Sequence, residues 1–330
     1  MRWSRSFFSN LAVLAVFVGA SGASGASAQA QQWPVKPIRF IVPYSPGGVS
    51  DIAARLVGAK LGDALGQQVI VENRPGGNAT IGVGAVAKAA PDGYTFVVGT
   101  WGDFTITQHL VKNMAYDPIT DLDPVTTLMI TPTVVGVTAT SAYKSLDDVL
   151  AAARKQPGKL GYASAGVGVI THLQMEWLAL ATGTSFTHIP YKGGSPAGTA
   201  VAAGDVQVGS LAVASALPHV RGGKIRLLAT MGAARSPIIP DVPSVRELGV
   251  KDVDGASMTA MLAPKGTPQP IIGRMNAEVA KILAQPELKE KADASASVAA
   301  SMSPADMASK LKRDTAAFKE IIEKAKITAD

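Results

Sequence analysis

The stretch IRFIVPYSPGGVSDIAARLVGAKLGDALGQQVIVEN, residues 38–73, decides the fold. It opens with Ile38 to Val42, a β-branched and aromatic run of strand length. Ser50 to Leu65 follows with Ala53, Leu56, Val57, Lys60, Leu61 and Ala64 on one face at helical spacing. Val69 to Glu72 is a second strand. Beyond it, Ile81 to Ala90 reads as an Ala-rich helix stopped by Pro91, and Thr95 to Gly99 as a third strand. Strands that alternate with helices predict a parallel sheet covered on both faces, with right-handed crossovers.

A second run of this kind begins near Thr133. Val134 to Val137, Leu160 to Ser164, Thr187 to Pro190, Val206 to Ser210 and Ile225 to Thr230 are strands. Ser145 caps a helix from Leu146 to Gln156, with Asp148 at the third position. Ile170 to Ala181 and Ala197 to Ala203 are the other helices, and the whole makes a second parallel sheet. One more strand, Asp254 to Ala263, precedes two helices, Pro268 to Leu283 and Pro304 to Lys326, which have no strands of their own and must dock on what is already built. The chain therefore leaves a first domain near 133 and returns near 252. Domain 1 is 31–132 plus 253–330 and domain 2 is 133–252, joined by two crossing hinge strands. No low-complexity linker or fixed-period repeat supports beads on a string; a single domain is the alternative.

The first 28 residues read as a signal peptide: Arg2 and Arg5, an apolar stretch from Phe7 to Ala20, and Ala26-Ser27-Ala28 as cleavage site. No later stretch reaches the roughly 18 apolar residues of a membrane span, so the processed chain is expected in the periplasm and not inserted in the membrane. Its 330 residues carry 31 Lys and Arg against 25 Asp and Glu; processing takes the formal charge from +6 to +4. Scattered basic residues and 5% aromatics argue against nucleic acid as a partner. The absence of cysteine excludes disulfides, thiolate metal sites, a cysteine nucleophile and a lipidated cysteine anchor.

In parallel α/β sheets ligands sit outside the carboxyl ends of strands, where helix N-termini point. In this chain those ends are Pro43 to Asp51, Gly99 to Asp103, Ala163 to His172, Pro190 to Ser195 and Ser210 to Ser215. They are rich in glycine, which lets backbone N–H groups approach a ligand, and in hydroxyls, which donate to an oxyanion without carrying charge. Tight turns and N-caps explain the same residues without a ligand. Enzyme patterns fare worse. Gly166-Val167-Gly168 has two glycines of a dinucleotide fingerprint, but Thr171 stands at the third and no acid follows. There is no phosphate-loop lysine, no Gly-x-Ser-x-Gly, no metal-like spacing among His109, His172, His188 and His219, and no cofactor signature. A periplasmic hydrolase using Ser164 and His172 is the one catalytic alternative. Asp51 and Asp103 read as cap or turn residues.

The strings PVKPIRFIVPYSPGGVSDIAARLV, QVIVENRPGGNATIG, VAKAAPDGYTFVVGT, YASAGVGVITHLQME, HIPYKGGSPAG, IRLLATMGAARSPIIPDVPSVRELG and LAPKGTP resemble the substrate-binding proteins of tripartite tricarboxylate transporters, the Bug family. The resemblance runs in order from about Trp33 to the C-terminus. It implies a periplasmic, two-domain clamshell that is not an enzyme and that binds a small di-, tri- or aromatic carboxylate between its domains. Its expected partner is a membrane permease, or a signalling receptor if the same fold serves as a sensor. In such proteins the loop matching Tyr44 to Asp51 holds a ligand carboxylate, and the loop matching Ser164 to His172 closes from the other side.

The candidate ligand residues are thus Tyr44, Ser45, Gly47, Gly48, Ser50, Asp51, Thr100, Trp101, Ser164, Gly166, Gly168, His172, Tyr191 and Ser210, with Phe104 as a further apolar wall. Two departures from the family stand out. Ala200 occupies a position where an Asp usually meets a ligand amino group, which argues against an amino-acid ligand. Ser257 to Ala260 lacks the usual aromatic–Gly pair, which changes the expected shape of the pocket.

Overall fold

The computed structural model describes residues 33–250, 253 and 255–328; the expected signal peptide lies outside the described residues. The opening alternation is present as β1 (Ile38–Val42), α1 (Val49–Leu65), β2 (Val69–Asn73), α2 (Thr80–Ala87) and β3 (Thr95–Thr100), and β1 pairs in parallel with both β2 and β3. α1 buries Ala53, Ala54, Val57, Leu61 and Leu65. Of the face read from spacing, Leu56 and Lys60 are half-covered and Ala64 is exposed, because the buried stripe drifts toward Ala54 and Leu65.

Two short helices, α3 (Trp101–Thr105) and α4 (Thr107–Leu110), precede a ten-residue strand, β4 (Leu122–Thr131), that the sequence reading missed. Pro124 inside that run argues against a strand. Its partner accommodates it: the register against the returning strand slips twice, once beside Pro124, and these irregularities absorb the residue that cannot donate.

The second half follows as β5 (Thr133–Thr138), α5 (Leu146–Lys155), β6 (Gly161–Ser164), α6 (Ile170–Thr182), β7 (Thr187–Pro190), α7 (Gly194–Ala203), β8 (Val208–Ala212), α8 (Val213–Arg221) and β9 (Ile225–Thr230). The Ser145 cap forms as expected, with Asp148 returning its carboxylate to the Ser145 N–H at 2.9 Å. α8 begins within the segment read as a strand-end loop. The chain then returns through β10 (Ser257–Pro264) and adds α9 (Gln269–Leu283), α10 (Pro286–Ala294), β11 (Val298–Ala299) and α11 (Pro304–Lys324). α10 and β11 are additions to the expected two terminal helices.

These strands make a six-stranded sheet in the order β11-β4-β10-β3-β1-β2 and a five-stranded sheet in the order β7-β6-β8-β5-β9. The two-sheet α/β class is the expected one, but neither sheet is wholly parallel. β10 runs antiparallel to β3 and β4, and β5 antiparallel to β8 and β9. The antiparallel members are the strands that carry the chain between the halves: a segment that leaves one sheet and one that returns to it necessarily run in opposite directions.

Period-2 alternation builds both cores. Ile38, Phe40 and Val42 face α1 and α9, while Ile41 and Val97 face α2 and α11. In the second sheet Val135, Val137 and Tyr162 pack under α5 and α6, and Val134, Ala163 and Leu211 pack under α7 and α8. The halves also share apolar packing: Leu173 of α6 joins the core under α11, and the Trp177 ring meets Phe318 edge-on at 5.7 Å. Burying side chains of this size contributes about 1.5–3 kcal/mol each.

Candidate functional site

The loop between β1 and α1 is held by its own acid. The buried Asp51 carboxylate accepts from the Gly47 N–H at 2.9 Å, from Asn73 Nδ2 at 2.9 Å and from Arg55 Nε at 3.1 Å. Asn73 also donates to the Tyr44 carbonyl. Burial works against the charge, but these donors outweigh it and hold Asp51 below its usual range. Asp51 is therefore committed to the loop. Ser45, Gly47 and Gly48 are exposed, and Ser50 is buried with its hydroxyl unpartnered.

A cavity of about 280 Å³ lies between the halves. The first half contributes Tyr44, Asn78, the Thr100–Asp103 turn, and Ile106, Thr107 and Leu110 from the α4 segment. The second half contributes Val167, Gly168, Val169 and Ile170, and Ser257 enters where the chain crosses back. No Lys, Arg or His is among these lining residues. Of the residues expected from the sequence, Tyr44, Thr100, Trp101 and Gly168 are brought together here. Ser45, Gly47, Gly48, Ser50, Asp51, Ser164, Gly166, His172, Tyr191 and Ser210 do not line the cavity. Phe104 does not either, being fully buried in the core beneath it. Ala200 is buried in α7 and is likewise not in the wall.

The first-half wall centres on Asp103. Thr100 N donates to Asp103 Oδ2 at 2.7 Å and Thr100 Oγ1 to Oδ1 at 2.9 Å, while the Tyr44 hydroxyl makes a very short bond to Oδ1 and lies 3.0 Å from Thr100 Oγ1. Gly99 makes room for the acid, since a Cβ there would stand 2.6 Å from Asp103 Oδ2. Burial pushes Asp103 up to about 6 despite those three donors, and burial together with the Asp103 charge pushes the Tyr44 phenol well up. Trp101 is tied to α11 by its Nε1, which donates to Asp314 at 2.9 Å.

The second-half wall is the turn into α6. Gly168 adopts φ +73°, open to glycine, and a Cβ there would stand 2.5 Å from Leu110 across the cleft. Behind the turn, Gly168 N donates to His172 Nδ1 at 3.1 Å, and Ser164 Oγ lies 2.6 Å from His188 Nε2. The two imidazoles stack at 3.7 Å, with Tyr162 against His188. Burial lowers His188 to about 4; burial and then its neighbour His188 lower His172 to about 3. Both rings are neutral at pH 7. The Ser164–His172 pair that the catalytic alternative needs does not form: the Ser164 hydroxyl goes to His188, is fully buried, and lies behind the wall. Tyr191 is half-buried, its N–H spent on the Ser164 carbonyl at 3.0 Å, and Ser210 is fully buried with its hydroxyl unpartnered.

Sequence reading missed Asn78, Ile106, Thr107, Leu110 and Ser257 as wall residues, and within the strand-end loops it named it did not single out Gly102, Asp103, Val167, Val169 or Ile170. α3 and α4 are too short to show periodicity, and a hydrophobic residue in a turn carries no signal of facing a cavity.

Two sheets linked by crossing strands, with a cavity walled from both sides, define the class of two-lobed periplasmic binding proteins. A solved TctC solute-binding protein from Polaromonas, without ligand, is 27% identical with a TM-score of 0.82 over 88% of this chain and 99% of that one. R. palustris Rpa4515, solved with adipate, is 33% identical with a TM-score of 0.71 over 90% and 99%. Protein BugT of Bordetella pertussis is 34% identical over 274 residues, 83% of this chain and 84% of BugT. Residues 53–327 match the tripartite tricarboxylate transporter family receptor, and the chain belongs to that family. Its relatives are solute-binding and periplasmic binding proteins.

Proposed function

We propose that this protein is a periplasmic solute-binding protein that captures a small organic carboxylate between its two lobes and delivers it to a tripartite tricarboxylate-type permease. The observation that carries the reading is a cavity whose wall is drawn from both halves in a chain of this family. The lobes are 31–132 plus 253–330 and 133–252. Adipate in the R. palustris relative supports a carboxylate as the ligand class.

The groups that would receive the carboxylate belong to the turn into α6. The first N–H groups of a helix have no partner within it, and at Ile170 and Thr171 they begin a 13-residue helix whose dipole favours an anion. The hydrocarbon body of the ligand then lies along Trp101, Ile106, Leu110 and Val169. Because both walls touch it, the ligand favours the closed arrangement, and closure is the signal read by the permease. At the crossing the Gly255 carbonyl accepts from Thr133 Oγ1 at 3.0 Å and from Gln174 Nε2, which ties the two crossing segments to each other and the returning one to α6.

A thermal-shift screen of the purified protein against a carboxylic-acid library tests this reading, followed by small-angle scattering on the best hit. A ligand that binds the folded state raises the midpoint by mass action. A compact-going change in radius of gyration is expected with it. Turnover of ester substrates, or no shift with any acid, would refute the proposal.

A further inference from the structure

The Tyr44 and Thr100 hydroxyls look at first like donors for an anionic ligand, but their geometry commits them elsewhere. Both point at Asp103, and the Thr100 backbone N–H does too. Around Asp103 this wall therefore offers the cavity oxygen lone pairs and a carboxylate; Asn78 is the lining side chain of this half that carries N–H donors, and no Lys, Arg or His stands among the lining residues. The opposite wall offers backbone N–H groups at the start of α6. The cleft thus has a donor end and an acceptor end. Tyr116 adds no cation: its buried hydroxyl is unpartnered, and the nearby Asp103 charge, after burial, raises its phenol. Asp103 titrates at about 6 and carries its charge at neutral pH.

We infer that Asp103 is the specificity-determining residue of this cleft, excluding a second carboxylate and selecting a monocarboxylate whose far end donates a hydrogen bond, as a hydroxyl or an ammonium does. The inference rests on the carboxylate reading of the site and narrows it. A ligand of this kind places its carboxylate at the α6 turn and its donor on the Asp103–Tyr44–Thr100 oxygens. A dicarboxylate of the same length must bring its second charge against Asp103, and juxtaposed like charges in a partly dry cleft are strongly disfavoured.

Calorimetry at pH 7.5 with acids matched in length is the test: 6-hydroxyhexanoate and 6-aminohexanoate against adipate, and 4-hydroxybutyrate against succinate. At one length or both, the better donor-ended acid should bind about tenfold tighter than its diacid, or more. Asp103→Asn places an amide N–H where only acceptors stood, so that ratio should fall to near parity in the variant. Parity or a preference for the diacid in the wild-type protein would overturn the inference while leaving carboxylate binding intact. An unchanged ratio in a folded Asp103→Asn variant would also overturn it. If none of the five acids binds, the inference is overturned, and the library screen alone decides the carboxylate reading. The wild-type ratio decides even where the variant does not fold.

Discussion

Asp103 and His172 stand in corresponding places in the two halves, each buried in the first turn of a helix that follows a strand, and His172 is stacked on the half-buried His188 of β7. Burial acts on both against charge, yet with opposite results at neutral pH. Asp103 rises only to about 6, because Tyr44 and Thr100 supply three hydrogen bonds to its ionised form. The imidazoles fall to about 3 and 4, because no acid compensates them. Glu176 stands 4.0 Å from His172 Nε2 but takes the Tyr162 hydroxyl at 2.7 Å, and burial raises its own pKa. One wall is thus anionic and rich in acceptors, and the other is uncharged with backbone donors. The lesson is that charge in this cleft is decided by hydrogen bonds to the buried group rather than by which ionisable residue is present.

The sharpest way to break the comparison is at two glycines, Gly168 in the cavity wall and Gly48 in the β1–α1 loop outside it. Gly168→Val forces a branched side chain into φ +73° and against Leu110, so a loss of about 2–3 kcal/mol is expected in urea unfolding, together with loss of ligand binding. Gly48→Val, at an extended φ of −77° with only the Ser45 carbonyl 3.8 Å away, should leave stability within about 0.5 kcal/mol. A roughly tenfold drop in affinity in Gly48→Val would place the Ser45–Asp51 loop at the ligand. Unchanged affinity would remove that loop from the site.

Acid titration separates the walls next. The folded pKa values of His172 and His188 lie below the ordinary 6.5, so their contribution is complete above about 6.5 and is lost as pH falls toward 4 and 3. Asp103 is raised from 3.8, so its penalty is present above about 6 and is relieved as pH falls from 6 to 4. Between pH 6 and 4.5 these two histidines outweigh that one acid. From these groups the unfolding free energy measured in urea should fall with pH by on the order of 1 kcal/mol per pH unit. Asp103→Asn removes the opposing relief and should steepen it. A shallower slope in the variant would reverse the assignment of the two walls.

At pH 8 the same Asp103→Asn change should stabilise the protein by about 1 kcal/mol, since it removes a buried charge whose hydrogen bonds only partly compensate it. The smallest effect is expected at Arg55→Ala. Its guanidinium is half-exposed, and Gly47 and Asn73 still hold Asp51, so the loss should stay below about 1 kcal/mol in chemical denaturation.

The sequence by itself determined the strand–helix alternation from Ile38 to Thr100 and from Thr133 to Thr230, the Ser145 cap and the double crossing between two sheets. Each of these follows from local periodicity, capping chemistry and chain order. Family membership was legible in the same way, from strings spread along the chain. Four wall residues, Tyr44, Thr100, Trp101 and Gly168, were legible because they follow strand ends. Only the tertiary structure decided the rest. Strand β4 exists because β10 accepts Pro124 at a register slip, which no local reading of 122–131 reveals. Asp51 and Asp103 were read as cap or turn acids, and Asp103 does cap α3 with Thr100, but tertiary contacts set them apart: Asp51 is closed into its loop by Arg55 and Asn73, and Asp103 is set into the cavity wall beside Tyr44. Ser164 bonded His188 rather than His172 because β6 and β7 lie side by side. Such roles depend on which groups meet across long sequence separations, and burial and hydrogen bonding, which set the charge of a side chain, arise only there.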